Sequence, residues 1–402
     1  MNKPVTFFSI TQYAVELDSV MPLILEYSRK TKVQIICLRI FQFEKVIQNK
    51  FPLLNDNANI TVIYREDLYV LRLFKKILPA NKIFNKIILK VISRFSDFSK
   101  IKMYCDSSSL IYGSNHLVTG ISNDINFIYK YSKQCKAIFV GFPLVPWPIW
   151  YQNYFFEFDY FLCSTKLEQL SLSKLNKNVK LLSLGCAQFE KKYLGLYDNT
   201  IFLQPWKKTK KIALIIMINT NNPLYLNYKN IYNDIRDIIN FLEINEYKCI
   251  IKLHPNSQDV DYLKFKEIGI FKDYFIYNSL ESIIPNIDIS ISYLSTSLLK
   301  CVANEIPSFS YLPKSFFETF PKDDDINGIS FLNFYFKSNN FQKPRLEDFC
   351  HIINKPDDLM LVSENDRELK YNNFLSIFRP VDSTQNIINY FNSFISTLKH
   401  EN

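Results

Sequence analysis

A chain of 402 residues that is 48% hydrophobic and carries 35 Phe and 25 Tyr is too long for a single small core and too apolar to be disordered, so two or three globular domains are expected. Its 48 basic against 39 acidic residues leave a net charge of +9, which suits an acidic substrate, a nucleotide or an anionic membrane surface without selecting among them. The eight Cys contain no Cys-x-x-Cys pair and sit mostly inside apolar runs, which argues against a disulfide frame or zinc site and fits reduced thiols of a cytosolic protein.

Met1 to Pro4 lead straight into a strand, Val5 to Ile10, so no secretory leader is expected. Glu16 to Lys30 has helical apolar spacing, and Val33 to Leu38 and Ile60 to Tyr64 read as further strands. A strand-helix-strand unit of this kind implies a parallel sheet with right-handed crossovers. Tyr69 to Phe98 is a helical stretch broken near Pro79 and carrying Arg72, Lys75, Lys76, Lys82, Lys86, Lys90 and Arg94. It reads either as a helix pair covering the core with solvated lysines or as an interfacial helix on anionic lipid.

Leu110 to Tyr112, a helix near Asn123 to Lys133, and Ala137 to Val140 continue the alternation. The uncharged run Ala137 to Phe156 contains Pro143, Pro146 and Pro148, so it is a strand followed by an aromatic loop and not a membrane span. That loop, Phe142 to Tyr151, either packs on its neighbours or offers its rings for stacking on a ligand. Phe158 to Ser164 and Val179 to Gly185 are further strands.

The pattern breaks at Asp198 to Lys211, with Pro205 and four lysines. This sets a linker at 201–211 between an N-terminal domain, 1–200, and a C-terminal domain, 212–380, with a closing helix over 381–402 opened by the cap cluster Asp382-Ser383-Thr384. After the break, strands at Ile212 to Ile218, Cys249 to Leu253, Tyr274 to Tyr277, Ile287 to Ser292 and Ser308 to Tyr311 alternate with helices at Tyr228 to Glu246 and Asp259 to Glu267. The expected fold class is α/β, with two doubly wound, Rossmann-like parallel-sheet domains facing across a cleft.

Two of these strands end in polar clusters. Cys249 to Leu253 runs into His254-Pro255-Asn256, and Ile287 to Ser292 runs into Ser295-Thr296-Ser297 ahead of the apolar segment Leu298 to Ala303. Carboxyl ends of strands in open α/β sheets are where ligands bind, and the helices that follow favour anions there. An imidazole and three hydroxyls on neighbouring strand ends therefore point to a phosphate, with Pro255 stopping the strand and the hydroxyls standing at the N-cap. Asn219 to Asn222 follows the first strand of the second domain, where side-chain amides replace missing glycines; the chain has only 7 Gly. Asp323-Asp324-Asp325 reads as a solvated loop, and His351 and His400 have no partner pattern.

The constellation Lys252-Leu253-His254-Pro255, Asp288, Ser295-Thr296-Ser297 and Glu305-Ile306-Pro307 resembles the C-terminal half of GT-B glycosyltransferases of bacterial surface polysaccharide biosynthesis. It is similar to the His-Pro and Ser/Thr-Ser pairing of sialyltransferases, polysialyltransferases, Kdo transferases and CDP-glycerol glycerophosphotransferases, over about residues 212–310. The resemblance implies a nucleotide-sugar donor as co-substrate, no other cofactor and no metal. It assigns donor phosphate binding to His254, Pro255, Ser295, Thr296 and Ser297, beside the Asn219 read above.

Lys300 and Cys301 stand where many nucleotide-diphosphate-sugar transferases carry a ribose-gripping Glu, which favours a CMP-sugar such as sialic acid or Kdo over UDP or GDP donors. The acidic-acidic-Gly motif of several sialyltransferases has no counterpart, which counts against sialic acid. Transfer needs a base for the acceptor hydroxyl and stabilisation of the leaving phosphate. His254 suits the second task, and Glu16 or Asp18 the first, with Asp106 and His116 as further candidates. The expected acceptor is a surface glycan or glycolipid, the expected location cytoplasmic or peripheral on the inner membrane face, and nucleic acid is no partner. The alternatives are a CDP-glycerol-type phosphotransferase, an epimerase-like enzyme or a non-catalytic nucleotide-binding assembly protein.

Overall fold

The structure, a computed structural model, describes residues 5–10, 14–37, 54, 57–64, 109–114, 132–133, 135–143, 158–174, 178–194, 210–221, 228–254, 257–276, 280–318 and 346–400. The basic stretch 69–98, the aromatic loop beyond Pro143, the triple aspartate at 323–325, and Asp106, His116 and Pro255 lie outside the described residues. Two compact units emerge: residues 1–188 with 382–402, and residues 189–381.

The first unit is built on β1 (Val5–Ile10), β2 (Lys32–Cys37), β3 (Ile60–Tyr64), β4 (Leu110–Ser114), β5 (Ile138–Phe142), β6 (Tyr160–Leu162) and β7 (Lys180–Leu182). They pair in the order β3-β2-β1-β4-β5-β6-β7, parallel throughout. Helices α1 (Ala14–Ser28) and α2 (Lys166–Ser173) flank the sheet. The core is aromatic. Phe8 stacks on Tyr112 with ring centroids 4.9 Å apart, and the Tyr112 and Tyr27 phenols are hydrogen-bonded at 2.9 Å. Gly141 makes room for this kind of packing, since a Cβ there would lie 2.6 Å from the rings of Phe158 and Phe161.

The second unit contains β8 (Lys211–Ile216), β9 (Tyr247–Lys252), β10 (Phe275–Ile276), β11 (Ile289–Ser292), β12 (Ser308–Tyr311) and β13 (His351–Ile353), with α3 (Ile231–Ile244), α4 (Gln258–Glu267), α5 (Ser297–Val302) and α6 (Glu364–Phe378). Its order is β10-β9-β8-β11-β12-β13, again parallel throughout. Ile212 to Ile216 of β8 are buried on both faces, as a central parallel strand requires. α3 lays Ile231, Ile235, Ile238, Ile239 and Leu242 against the sheet as one apolar stripe. β13 and α6 come in addition to the elements expected from the sequence.

The last helix, α7 (Ser383–His400), belongs to the first unit. Phe391 meets Tyr112 and Tyr160 edge-on, at 6.0 and 5.4 Å between centroids, and its helix packs on α1. Among the described residues no helix is long and apolar enough to cross a membrane.

One buried carboxyl in the first unit makes its stability depend on pH. Thr165 caps α2 by accepting the Glu168 N–H at 3.0 Å, while Glu168 Oε2 accepts the Ser164 N–H at 2.6 Å and Oε1 is buried with no hydrogen-bond partner among the described residues. Burial lifts this carboxyl from 4.5 to about 8. The folded chain therefore holds a proton that the unfolded chain has released, and stability falls as pH rises from about 4.5 to about 8. Glu168→Gln keeps an oxygen for the cap and is expected to flatten that slope and raise the melting temperature at pH 8. A pH series of thermal melts with the same slope in both proteins would contradict this.

Candidate functional site

The strand order reverses in the second unit between β8 and β11, the position where doubly wound sheets open a crevice at their carboxyl ends. Backbone pairing sets the level of each strand tip. Ile216 is in register with Lys252 on β9 and with Ser292 on β11. His254 thus stands two residues past the paired level, Asn219 three and Ser295 three. Two hydrogen bonds hold the level: Met217 N–H donates to the Lys252 carbonyl at 2.9 Å, and buried Ser292 Oγ donates to the Ile216 carbonyl at 2.6 Å.

The histidine and the hydroxyls do not sit on neighbouring strands, as the sequence suggested. β8 runs between β9 and β11, so their tips are two strand spacings, about 10 Å, apart. The reason is topological: β8 is the first strand of its domain and takes the central place, with β9 on one side and β11 on the other. The tip of β8, with Asn219 beyond it, lies between the two strand tips that lead to His254 and to Ser295.

His254 is half-buried, and burial lowers its imidazole below the ordinary value while the Asp261 carboxylate pulls it up and Lys252 pushes it down. At neutral pH it is a neutral donor able to take a proton as an anion arrives. Its carbonyl accepts the Ser257 N–H at 3.1 Å, closing a turn. Asn219 Oδ1 accepts the Asn221 N–H at 3.2 Å, leaving the Nδ2 protons as the donors the side chain has to offer.

Ser295, Thr296 and Ser297 are all half-buried. Thr296 occupies the cap position of α5 yet its side chain makes no capping bond; Ser295 Oγ instead accepts the Ser297 N–H at 3.2 Å. The expected trio of capping hydroxyls is thus corrected. With Thr296 already helical in its backbone angles, its hydroxyl does not reach back over the first turn. Lys300 is paired with Glu281, both side chains largely buried, and Cys301 is fully buried, its thiol pushed up to about 12.

Two acidic residues that sequence reasoning passed over organise this edge. Asp261 on α4 has no solvent exposure and accepts from Thr220 Oγ1 at 2.5 Å, Tyr232 Oη at 2.8 Å and Ser257 Oγ at 2.6 Å. Asp234 on α3 accepts from Tyr293 Oη at 3.0 Å and from Tyr228 Oη, and Tyr228 also contacts Ser315 Oγ at 3.3 Å. Burial raises the Asp234 carboxyl, against the two phenols. In the sequence, Asp261 and Asp234 look like ordinary acids in first helical turns, which are favoured there anyway. Glu16 and Asp18 lie in α1 of the first unit; the described structure includes their backbone and not their side chains.

No family model matches the chain, and no curated protein matches it. Solved structures match it in fold. UDP-GlcNAc 2-epimerase from Neisseria meningitidis bound to UDP-GlcNAc aligns with a TM-score of 0.59 at 12% identity, over 97% of this chain and 100% of that one. The fold is GT-B. MnaA of S. aureus in a co-structure with UDP aligns at 0.56 and 10% identity over 98% and 97% of the two chains. The wall teichoic acid polymerase TagF aligns at 0.56 and 11% identity, over 98% and 90%.

Tyr293 follows Ser292 at the tip of β11 and is the buried link between that strand and α3. Tyr293→Phe removes one of two phenols from Asp234 and is expected to cost about 1–2 kcal/mol in denaturant unfolding, with the fold retained. A loss below a few tenths would show that the link contributes nothing.

Proposed function

We propose that the second unit holds the phosphate of a nucleotide-activated donor over the tips of β9, β8 and β11, and that the protein is a glycosyltransferase. The reading supported best is transfer from a CMP-sugar, sialic acid or Kdo, to a surface glycan or lipid-linked acceptor. The observation that carries it is that three adjacent strands each lead into polar residues, His254, Asn219 and Ser295 to Ser297, within two to five residues of the paired level beside the strand-order reversal. Structures of the same fold with UDP-GlcNAc, UDP and, for TagF, CDPG add support for a nucleotide ligand.

In the proposed step the acceptor oxygen bonds to the anomeric carbon as the carbon–oxygen bond to phosphate breaks, and the bonding pair leaves with the phosphate. Half-buried His254 donates to that phosphate as its charge grows, with the Thr296 and Ser297 hydroxyls and the Asn219 amide as further donors. The acceptor proton goes to a carboxylate, for which we propose Glu16 or Asp18. The second reading, an epimerase-like or CDP-glycerol-type phosphotransferase chemistry at the same phosphate site, is favoured by the epimerase and TagF among the fold matches. Fold alone does not decide between them.

His254→Ala is expected to weaken nucleotide binding at least tenfold and abolish turnover, with a melting temperature within a few degrees of the parent. Surviving turnover would overturn the site. In a thermal-shift comparison of CMP, CDP, UDP and GDP, a cytidine nucleotide is expected to give the largest stabilisation. A clear preference for uridine or guanosine would defeat the donor assignment and favour the second reading.

A further inference from the structure

We propose that Asp261 is the positioning residue of the phosphate site, one carboxylate that clamps the two ligand-bearing loops after β8 and β9 to each other and to α3. The inference rests on the nucleotide reading above. Its three hydrogen-bond donors come from three separate segments. Thr220 adjoins Asn219 in the loop after β8, Ser257 closes the turn that His254 opens, and Tyr232 lies in the first turn of α3.

The local sequence alone does not demand this arrangement. Ser257 is the N-cap residue of α4, where a serine ordinarily accepts a backbone N–H, yet it makes no cap bond and donates its hydroxyl to Asp261 instead. A capping interaction is thus given up for a bond that fixes the His254 turn. Asp261 has no exposed surface, so its oxygens must be satisfied inside the protein, and only the two loops and the start of α3 supply the donors that are described. The carboxylate cannot keep those partners unless both loops hold their places. Its charge also faces His254, with Lys252 as the opposing cation.

Asp261→Asn preserves size while replacing one acceptor oxygen by a donor. The test combines calorimetric titration of CMP and of cytidine with an NMR titration of the His254 imidazole, whose signal is identified by its loss in His254→Ala. The clamp predicts at least a tenfold loss in CMP affinity, cytidine affinity within twofold of the parent, and a downward shift of the His254 midpoint. A residue that merely stabilises the fold would weaken CMP and cytidine alike, and that result would overturn the proposal. So would CMP affinity within twofold of the parent.

If Asp261→Asn does not fold, Thr220→Val and Ser257→Ala each release one loop. Each is then expected to weaken CMP several-fold and spare cytidine, and no change in either variant sinks the clamp. A parent protein that binds no CMP refutes the nucleotide reading, and amide hydrogen exchange then decides the clamp: faster exchange after β8 and β9 in Asp261→Asn than in the parent supports it, and unchanged exchange overturns it.

Discussion

The carboxylate of Asp261, shut off from water and satisfied by three hydroxyls, is the constraint that ties together the segments after β8 and β9 and the start of α3 in the second unit. A carboxylate left unpaired at that depth would cost several kcal/mol, whereas hydrogen bonds to a charged group return about 1.5–3 kcal/mol each. The surplus exists only when the loop after β8, the turn after β9 and the start of α3 are all in place. Under the proposed function, these loops would be held in place before a ligand arrives, so less ordering entropy would be lost on binding. Asp234 repeats the device one strand over, drawing Tyr293 at the tip of β11 and Tyr228 toward α3.

Both units solve the same packing problem with different residues. In the second, aliphatic strands such as Ile212 to Ile216 and Cys249 to Ile251 are buried against the isoleucine stripe of α3. In the first, the sheet is filled by rings: Phe8, Tyr112 and Phe139, with Gly141 clearing space for Phe158 and Phe161. The return of α7 belongs to this aromatic scheme, since Phe391 completes the cluster around Tyr112 and Tyr160. Each sheet reverses its order once, between β1 and β4 and between β8 and β11. A parallel sheet places every strand's carboxyl end on one edge, so the chemistry available to each unit is whatever residues follow those strands.

Strands of both units were legible because short β-branched runs have few other uses, and Ser308–Tyr311 in the second unit and Ile60–Tyr64 in the first lie where the sequence places them. Periodicity says which residues pair with some strand, and not which strand, so the interposition of β8 between His254 and Ser295 was invisible. α6 escaped notice because it buries only Phe374 and Phe378 and has no apolar stripe to read. Nothing local marks α7 as part of the first unit, since its amphipathic pattern would suit any apolar surface. Asp261 was hidden by plausibility: an acid one turn after Ser257 looks like a helix start, and only the tertiary positions of Thr220 and Tyr232 reveal a shared acceptor.

The measurement that bears most directly on the account is a crystal structure of the protein grown with CMP. The account predicts the phosphate over the tip of β8, with an oxygen at hydrogen-bond distance, about 2.7–3.2 Å, from a His254 ring nitrogen and another from a hydroxyl of Ser295, Thr296 or Ser297. A phosphate bound elsewhere in the chain, with His254 and those hydroxyls unengaged, would contradict it.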